Sequence, residues 1–372
     1  MLNWPIIIVC AVGISLLLTA VFIPQILHVS FKKRLFDRPN SRKVHQGVVP
    51  RLGGFAFLPV ILITLGITLV MPAAYTRWDA IIGNPTFVGS LPDIIVLLAS
   101  MTVMFLTGLY DDLSGLKYGM KFLAQLLCAV LLVEAGLYIT DFNDLLGVGH
   151  TGMAIGKIIT GFFIVYIING INLIDGIDGL ASGICIVSLV FYGIVMYLEG
   201  LFMFSLLAWI GVGTMTVFWA FNVFGSRARR TKIFMGDIGS LSIGVFLAFI
   251  VIVIARIPQE QSAWNIRPMV LALSPLVIPL FDVIRVFFIR IIHRTSPFMP
   301  DKRHIHHIML GAGMQMKGAM NSLVGAQIIL LLFNLWVSEA LGINIVLILD
   351  AAIYACGVLA FDYSRRIRNK KK

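Results

Sequence analysis

The chain has 372 residues, 59% hydrophobic and only 13% charged, with a formal net charge of +11 at pH 7. Soluble domains typically carry about 45 to 50% apolar residues, so the composition excludes a soluble globule and reads as a polytopic membrane protein. The excess of Lys and Arg is then first a matter of membrane orientation, and no nucleic-acid partner is expected.

Apolar runs of roughly 20 residues, the length that crosses a bilayer as a helix, recur near 4–27, 53–72, 91–110, 118–139, 153–169, 179–198, 201–222, 239–257, 269–292, 319–341 and 343–362. They predict an all-α polytopic membrane protein of eleven transmembrane helices, with ten as the alternative count, in a single domain over 1–372. The first run opens Met1-Leu2-Asn3-Trp4 without a basic leader and closes on Lys32-Lys33-Arg34, the pattern of an anchor entering from outside. With the N-terminus outside, the inner connections are 28–52, 111–117, 170–178, 223–238, 293–318 and the C-terminal tail. Counting Lys121, Arg285 and Arg290 at inner helix ends, they collect every Lys and Arg except Arg77, Lys157, Arg256 and Arg267, as the positive-inside rule requires. Asp111, Asp112, Asp175, Asp178, Asp237 and Asp301 fall on that same face, which implies one cytoplasmic site. The outer stretches 75–92 and 138–152 read as Gly-, Pro- and Asn-containing connectors. Pro268, Pro275 and Pro279 predict a bent span with a lipid-facing groove beside it. Cys10, Cys128, Cys185 and Cys356 lie in apolar runs without metal-type spacing, so no disulfide framework or redox motif is indicated.

The inner connections hold the chemistry. The first carries Arg42-Lys43-Val44-His45 and Pro50-Arg51-Leu52-Gly53-Gly54, fixed positive charge followed by a flexible entry to a helix. The second reads Tyr110-Asp111-Asp112-Leu113-Ser114-Gly115, with Lys117 and Lys121 beyond it, a combination suited to phosphate or metal chemistry. The third, Asn169 to Ala181, sets Asp175 and Asp178 among amides and glycines. A charge at the centre of a span costs roughly 2.5 to 3.5 kcal/mol, so both acids are expected at a helix end facing water. Their spacing would put them on one helix face, about 5 to 6 Å apart, where a carboxylate pair calls for a cation, a shared proton or hydrogen-bond donors. Plain helix capping is the alternative for this stretch. The fourth runs from Asn222 through Arg227-Ala-Arg-Arg-Thr-Lys232 to Phe234-Met235-Gly236-Asp237, with Asp237 at a helix start able to hold a hard divalent cation. The fifth is Ser296-Pro-Phe-Met-Pro-Asp301-Lys-Arg-His304-Ile-His306-His307. Its histidines have no cysteine partner, and the oxygen ligands elsewhere favour Mg²⁺ or Mn²⁺ over zinc.

Together the Asp111-Asp112 pair, the Asn169 to Ala181 run, Phe234-Met235-Gly236-Asp237 and His304-Ile-His-His307 resemble the polyprenyl-phosphate N-acetylhexosamine-1-phosphate transferase family, within glycosyltransferase family 4. The resemblance covers roughly residues 28–320. It implies transfer of a sugar 1-phosphate from a UDP-N-acetylhexosamine to a polyprenyl phosphate such as undecaprenyl phosphate, with release of UMP, as the first membrane step of a surface polysaccharide such as a lipopolysaccharide O-antigen. His-Ile-His-His after Ser-Pro-Phe-x-Pro-Asp is similar to the branch using UDP-N-acetylglucosamine, whereas the muramoyl-pentapeptide branch of peptidoglycan synthesis tends to three consecutive histidines. That branch is one alternative; a polytopic transporter or lipid flippase is the other, although Arg285, one turn from the intramembrane Asp282, accounts for that acid as an internal pair. The basic segment 225–232 departs from the short Pro-Ala linker of many members.

By resemblance Asp111, Asp112, Asp175, Asp178 and Asp237 form the catalytic set, Asn172 and Asp237 hold Mg²⁺ (Mn²⁺ as the alternative), and Lys121, Asn169, Phe234, Arg303, His304, His306 and His307 meet the substrates. Lys121 would contact the pyrophosphate, Asp111 and Asp112 would activate or position the lipid phosphate, Phe234 would stack on uracil, and Arg303 with the histidines would meet the sugar phosphate. The implied setting is the plasma (inner) membrane, multi-pass, with the active site cytoplasmic and a homodimer compatible with the pattern.

Overall fold

The computed structural model describes residues 3–35, 49–70, 85–295 and 303–370. Arg42, Lys43, Val44, His45, Ser296 and Asp301 of the expected basic and histidine connections lie outside the described residues. In chain order the helices are α1 (Trp4–Lys33), α2 (Phe57–Val70, entered by a 3-10 turn Gly53–Ala56), α3 (Pro85–Ser114), α4 (Tyr118–Glu134), α5 (Met153–Ile174), α6 (Leu180–Leu198), α7 (Phe202–Phe224), α8 (Gly236–Ala255), α9 (Pro268–Leu273), α10 (Val277–Ile292), α11 (Ile305–Gly311), α12 (Met316–Val337) and α13 (Ile343–Lys370). Among the described residues ten helices, α9 and α10 counting as one, are long and apolar enough to cross a membrane.

The eleventh expected span is α4, which at 17 residues stands outside those ten, at the short end of the spanning range of about 17 to 25 residues. It stops well before 139 because Gly136 takes a left-handed φ of 96° and turns the chain out of the helix. The following connector, expected only as a turn-rich link in an all-α chain, instead holds an antiparallel hairpin of Asp141–Leu145 (β1) and Val148–His150 (β2). These runs are too short to show a period of two in the sequence. The hairpin is tied to the start of α9, where Asn143 accepts from the Arg267 guanidinium at 2.8 Å through its carbonyl and from the Met269 N–H at 3.1 Å through its side chain.

The bundle is built around α8. A helix apolar on every side must be enclosed by others, and of the twenty residues of α8 only Asp237 escapes full burial. Helices α3 and α5 pack along it, and α2 with its entry turn crosses its start. Gly54 in the entry turn and Gly108 on α3 permit the tightest of these approaches, since a Cβ at either would run into the α8 backbone, at Gly239 and Ile238 respectively.

The proline-rich span bends as expected. A 3-10 turn, Ser274–Leu276, separates α9 from α10, because Pro275 and Pro279 cannot donate to the helical ladder. Backbone groups at the break and just beyond it find side chains on neighbouring helices. The Tyr192 hydroxyl donates to the Ala272 carbonyl at 2.6 Å, Ser188 to that of Pro275 at 2.8 Å and Tyr166 to that of Leu280 at 2.5 Å. Gln327 donates to the Ser274 carbonyl and accepts from the Ile278 N–H. Beside the bend lies an apolar groove of about 330 Å³ walled by Phe163, Tyr166, Leu273, Val277, Leu280 and Phe281.

Candidate active site

Two sets of helix ends carry the acidic residues, and both differ from the expected connections. α3 continues through Ser114, so Asp111 and Asp112 occupy its last turn rather than a loop. α5 runs to Ile174, which puts Asn169 and Asn172 inside the helix. The weak helix propensity of Asn and Gly is overridden there by partners on other helices. Asp175 and Asp178 lie in the turn between α5 and α6 and do not share a helix face.

A backbone clasp brings α8 to these ends. Phe234 N–H donates to the Pro50 carbonyl, Gly53 N–H to that of Phe234 and Gly54 N–H to that of Met235, each at 2.9 Å. The chain then turns at Gly236 with φ 73°, where any side chain would meet the Arg51 carbonyl and the Asp112 carboxylate. Only glycine allows this entry.

What results is a cluster of Asp111, Asp112 and Asp237 whose nearest carboxylate oxygens all lie within 4.8 Å of one another. Lys121, on the first turn of α4, pairs with Asp111 and reaches Asp237 at 3.4 Å. Asp111 also accepts from Leu116 N–H at 2.6 Å, and Asp112 Oδ2 from Ile238 N–H at 3.0 Å. Asp112 Oδ1 is buried without a hydrogen-bond partner among the described residues. Two unit charges at this separation repel by about 3 to 4 kcal/mol at an effective dielectric of 20, and Lys121 with the nearby Arg51 guanidinium brings two positive charges to three carboxylates. The orphaned oxygen and the all-oxygen donor set fit a hard divalent cation.

Asn172 donates to Asp237 Oδ1 at 2.7 Å and to Ser240 Oγ at 2.8 Å, joining α5 to the first turn of α8. Turning its amide over would present the oxygen at the same place. Asn169 is directed elsewhere: it donates to Gln125 Oε1 and to the Val165 carbonyl, both at 2.8 Å, and braces α4 against α5. Asp178 pairs with Lys232 at 2.7 Å. Lys232 also bonds the Asn222 carbonyl, while Asn222 accepts from Gly179 N–H at 2.6 Å and donates to the Ile233 carbonyl at 2.8 Å. This brace locks the acidic turn to the connection leading into α8. Burial pushes the Asp175 carboxyl up to about 7; the positive charge of Arg51 opposes that rise and the neighbouring Asp237, Asp178 and Asp112 add to it. Phe234 is half-buried at the clasp.

The histidine segment closes the site from α11. His306 is 1% exposed and its ring lies where any side chain on Gly176 would have to go, so it packs directly on the acidic turn. Burial, reinforced by the charge of His307, holds His306 down at about 3, and it is a neutral ring at physiological pH. The His306 and His307 rings lie 4.2 Å apart. Sequence reasoning missed Gln125 and Ser240 as partners of the site amides and Asn222 as the brace of the acidic turn, and it saw Asp282 only as a mate for Arg285. The Asp282–Arg285 pair is present at 2.7 Å, but the same carboxylate also holds His304 at 2.7 Å.

The family model described as glycosyl transferase family 4 matches residues 94–255, a range that includes Asp111, Asp112, Asn172, Asp175, Asp178 and Asp237. The chain is 32% identical over 287 residues to an undecaprenyl-phosphate alpha-N-acetylglucosaminyl 1-phosphate transferase of Yersinia pestis, covering 77% of this chain and 72% of that one. It is 29% identical to the protein of that name in Escherichia coli K12, over 80% of this chain and 75% of the other. A probable undecaprenyl-phosphate N-acetylglucosaminyl 1-phosphate transferase of Bacillus subtilis is 30% identical, over 82% of this chain and 78% of its own length.

Proposed function

The chain belongs to glycosyl transferase family 4, and on that premise we propose that it transfers N-acetylglucosamine 1-phosphate from UDP-N-acetylglucosamine to undecaprenyl phosphate, yielding the diphosphate-linked lipid and UMP. The observation that carries this is the meeting of Asp111, Asp112 and Asp237 with Lys121 and Asn172 at the ends of α3, α5 and α8. The names of the relatives support the same donor sugar and acceptor lipid.

In this reaction an oxygen of the lipid phosphate forms a bond to the β-phosphorus of the donor, the bond from that phosphorus to the bridging oxygen breaks, and UMP leaves with the electron pair. Asp237 and Asn172, with the orphaned Asp112 Oδ1, would hold a Mg²⁺ ion, which when bound would supply the positive charge that such a displacement needs. The residues of the chain do the rest. Lys121 balances Asp111 and Asp237 and offers its remaining protons to the pyrophosphate. Asp111 and Asp112, at the end of α3, position the lipid phosphate; a phosphate monoester with a second pKa near 6 is largely ionised at pH 7, so positioning matters more than proton removal. Asp178 and Lys232 keep the acidic turn in register, Phe234 offers an aromatic face for the base, and Arg303 and the histidines meet the sugar phosphate. The protein is a multi-pass membrane protein, and the proposal places the site at the cytoplasmic face of the plasma membrane, where UDP-sugars are made. The apolar groove beside the bent span suits the polyprenyl tail.

Donor competition tests the assignment. Purified protein given polyprenyl phosphate, Mg²⁺ and equimolar UDP-N-acetylglucosamine, UDP-N-acetylgalactosamine and UDP-N-acetylmuramoyl-pentapeptide is expected to build chiefly the N-acetylglucosamine lipid, read by mass spectrometry. A muramoyl lipid as the main product would overturn it.

A further inference from the structure

Asp282 on α10 is 1% exposed within a membrane-spanning segment, where a charge persists only with dedicated partners. Four donors converge on it: His304 Nδ1 at 2.7 Å, the Tyr354 hydroxyl at 2.7 Å, Arg285 Nη2 at 2.7 Å and the Ile305 N–H at 3.1 Å. Arg285 also donates to the Arg303 carbonyl at 2.6 Å and to the Tyr354 hydroxyl at 3.3 Å. The three residues Arg303-His304-Ile305 are thus gripped from α10 and, through Tyr354, from α13.

A carboxylate at one ring nitrogen of a histidine decides which nitrogen carries the proton and how the ring is aimed. Here Asp282 takes His304 Nδ1–H, and His304 Nε2 is left buried without a partner among the described residues. The His304 ring is stacked on that of His306 at 5.9 Å and 8°, and His306 packs on Gly176 beside Asp175. A continuous line of contacts therefore runs from Tyr354 through Asp282 and His304 to the acidic turn. The Tyr354 ring has its own support, stacked on Phe281 at 6.0 Å, so its hydroxyl is not needed to seat the ring.

We propose that Tyr354, together with Asp282 and Arg285, is a positioning residue for the sugar-nucleotide donor: it fixes the orientation of His304, whose Nδ1–H is held by Asp282, so that the ring, as an imidazolium paired with that carboxylate, donates its Nε2–H to the donor phosphate. This rests on the reaction proposed above. A purely structural tyrosine would not couple to one substrate alone.

The test uses the full-length protein in detergent. Tyr354→Phe is expected to raise KM for UDP-N-acetylglucosamine about tenfold, the usual scale for losing one hydrogen bond to a charged group, with KM for polyprenyl phosphate and the melting temperature unchanged. His304→Asn puts an amide in place of Nδ1 and His304→Gln puts one near Nε2, so the Gln variant should retain more donor turnover than the Asn variant while both fold. A wild-type donor KM in Tyr354→Phe, an equal rise in both KM values, a fall in melting temperature as the sole effect, or an Asn variant as active as the Gln variant would each overturn the proposal. Wild-type protein inert toward UDP-N-acetylglucosamine would instead remove the reaction itself, and it is told apart because the failure appears before any variant is made.

Discussion

Asn172 donates to Asp237 at 2.7 Å across 65 residues of chain, and this bond joins the inner end of α5 to the single residue of α8 that is not fully buried. Asp237 is aimed by it, since Lys121 approaches from the other side at 3.4 Å. Asn172→Ala should leave the helices intact by circular dichroism while lowering kcat about 10- to 100-fold and raising the cation concentration needed for half-maximal rate, as loss of an orienting partner does at metal sites. A normal cation titration with normal kcat would show that Asn172 does no more than pack.

Asp175 gives a pH dependence with a definite sign. Its carboxyl is pushed up to about 7 by burial, against about 3.9 in an unfolded chain. The native state therefore binds this proton more tightly than the unfolded state. Its contribution to stability is full below about pH 4, declines as pH rises toward 7 and is lost above that; the span is at most about 4 kcal/mol. Asp175→Asn removes the ionisable group, so its melting temperature should exceed that of the wild type at pH 8 and converge with it toward pH 4, even as activity falls. Parallel melting curves at all pH values would show that Asp175 is not held protonated by its surroundings.

The bent span supplies a test for the lipid. Ala272 is fully buried with its carbonyl bonded to Tyr192, so a tryptophan there would overpack the bundle rather than fill the groove. Leu273 and Val277 do wall the groove. Leu273→Trp is expected to raise KM for polyprenyl phosphate several-fold, with KM for the UDP-sugar within about twofold of wild type, because occluding a groove removes dispersion and burial for the tail alone. If UDP-sugar use alone suffers, the tail lies elsewhere.

Much of this was legible in the sequence for simple reasons. Long apolar runs bounded by charge locate helices, and the Pro268, Pro275, Pro279 spacing locates a bend. The motif residues Asp111, Asp112, Asn172 and Asp237 stood out because polar groups are costly in a chain this apolar. The helix ends were not legible: Asn172 belongs to α5 because Asp237 and Ser240, far away in sequence, hold it there. Gln125 looks like any other polar residue on a helix until Asn169 is folded against it. Asp282 could be matched to Arg285 at helical spacing, but its bonds to His304 and Tyr354 close over 22 and 72 residues, and no local pattern encodes them.

The most direct measurement of the central claim is UMP release by the purified protein from UDP-N-acetylglucosamine, with polyprenyl phosphate and the divalent cation each supplied or withheld. UMP should form only when lipid phosphate and Mg²⁺ are both present, and Asp237→Asn, folded and inserted as the wild type is, should lower the rate by about 100-fold or more, on the scale of removing one electrostatic stabiliser of a transition state. UMP release without the lipid, or an Asp237→Asn variant as fast as wild type across the Mg²⁺ titration, would contradict the account.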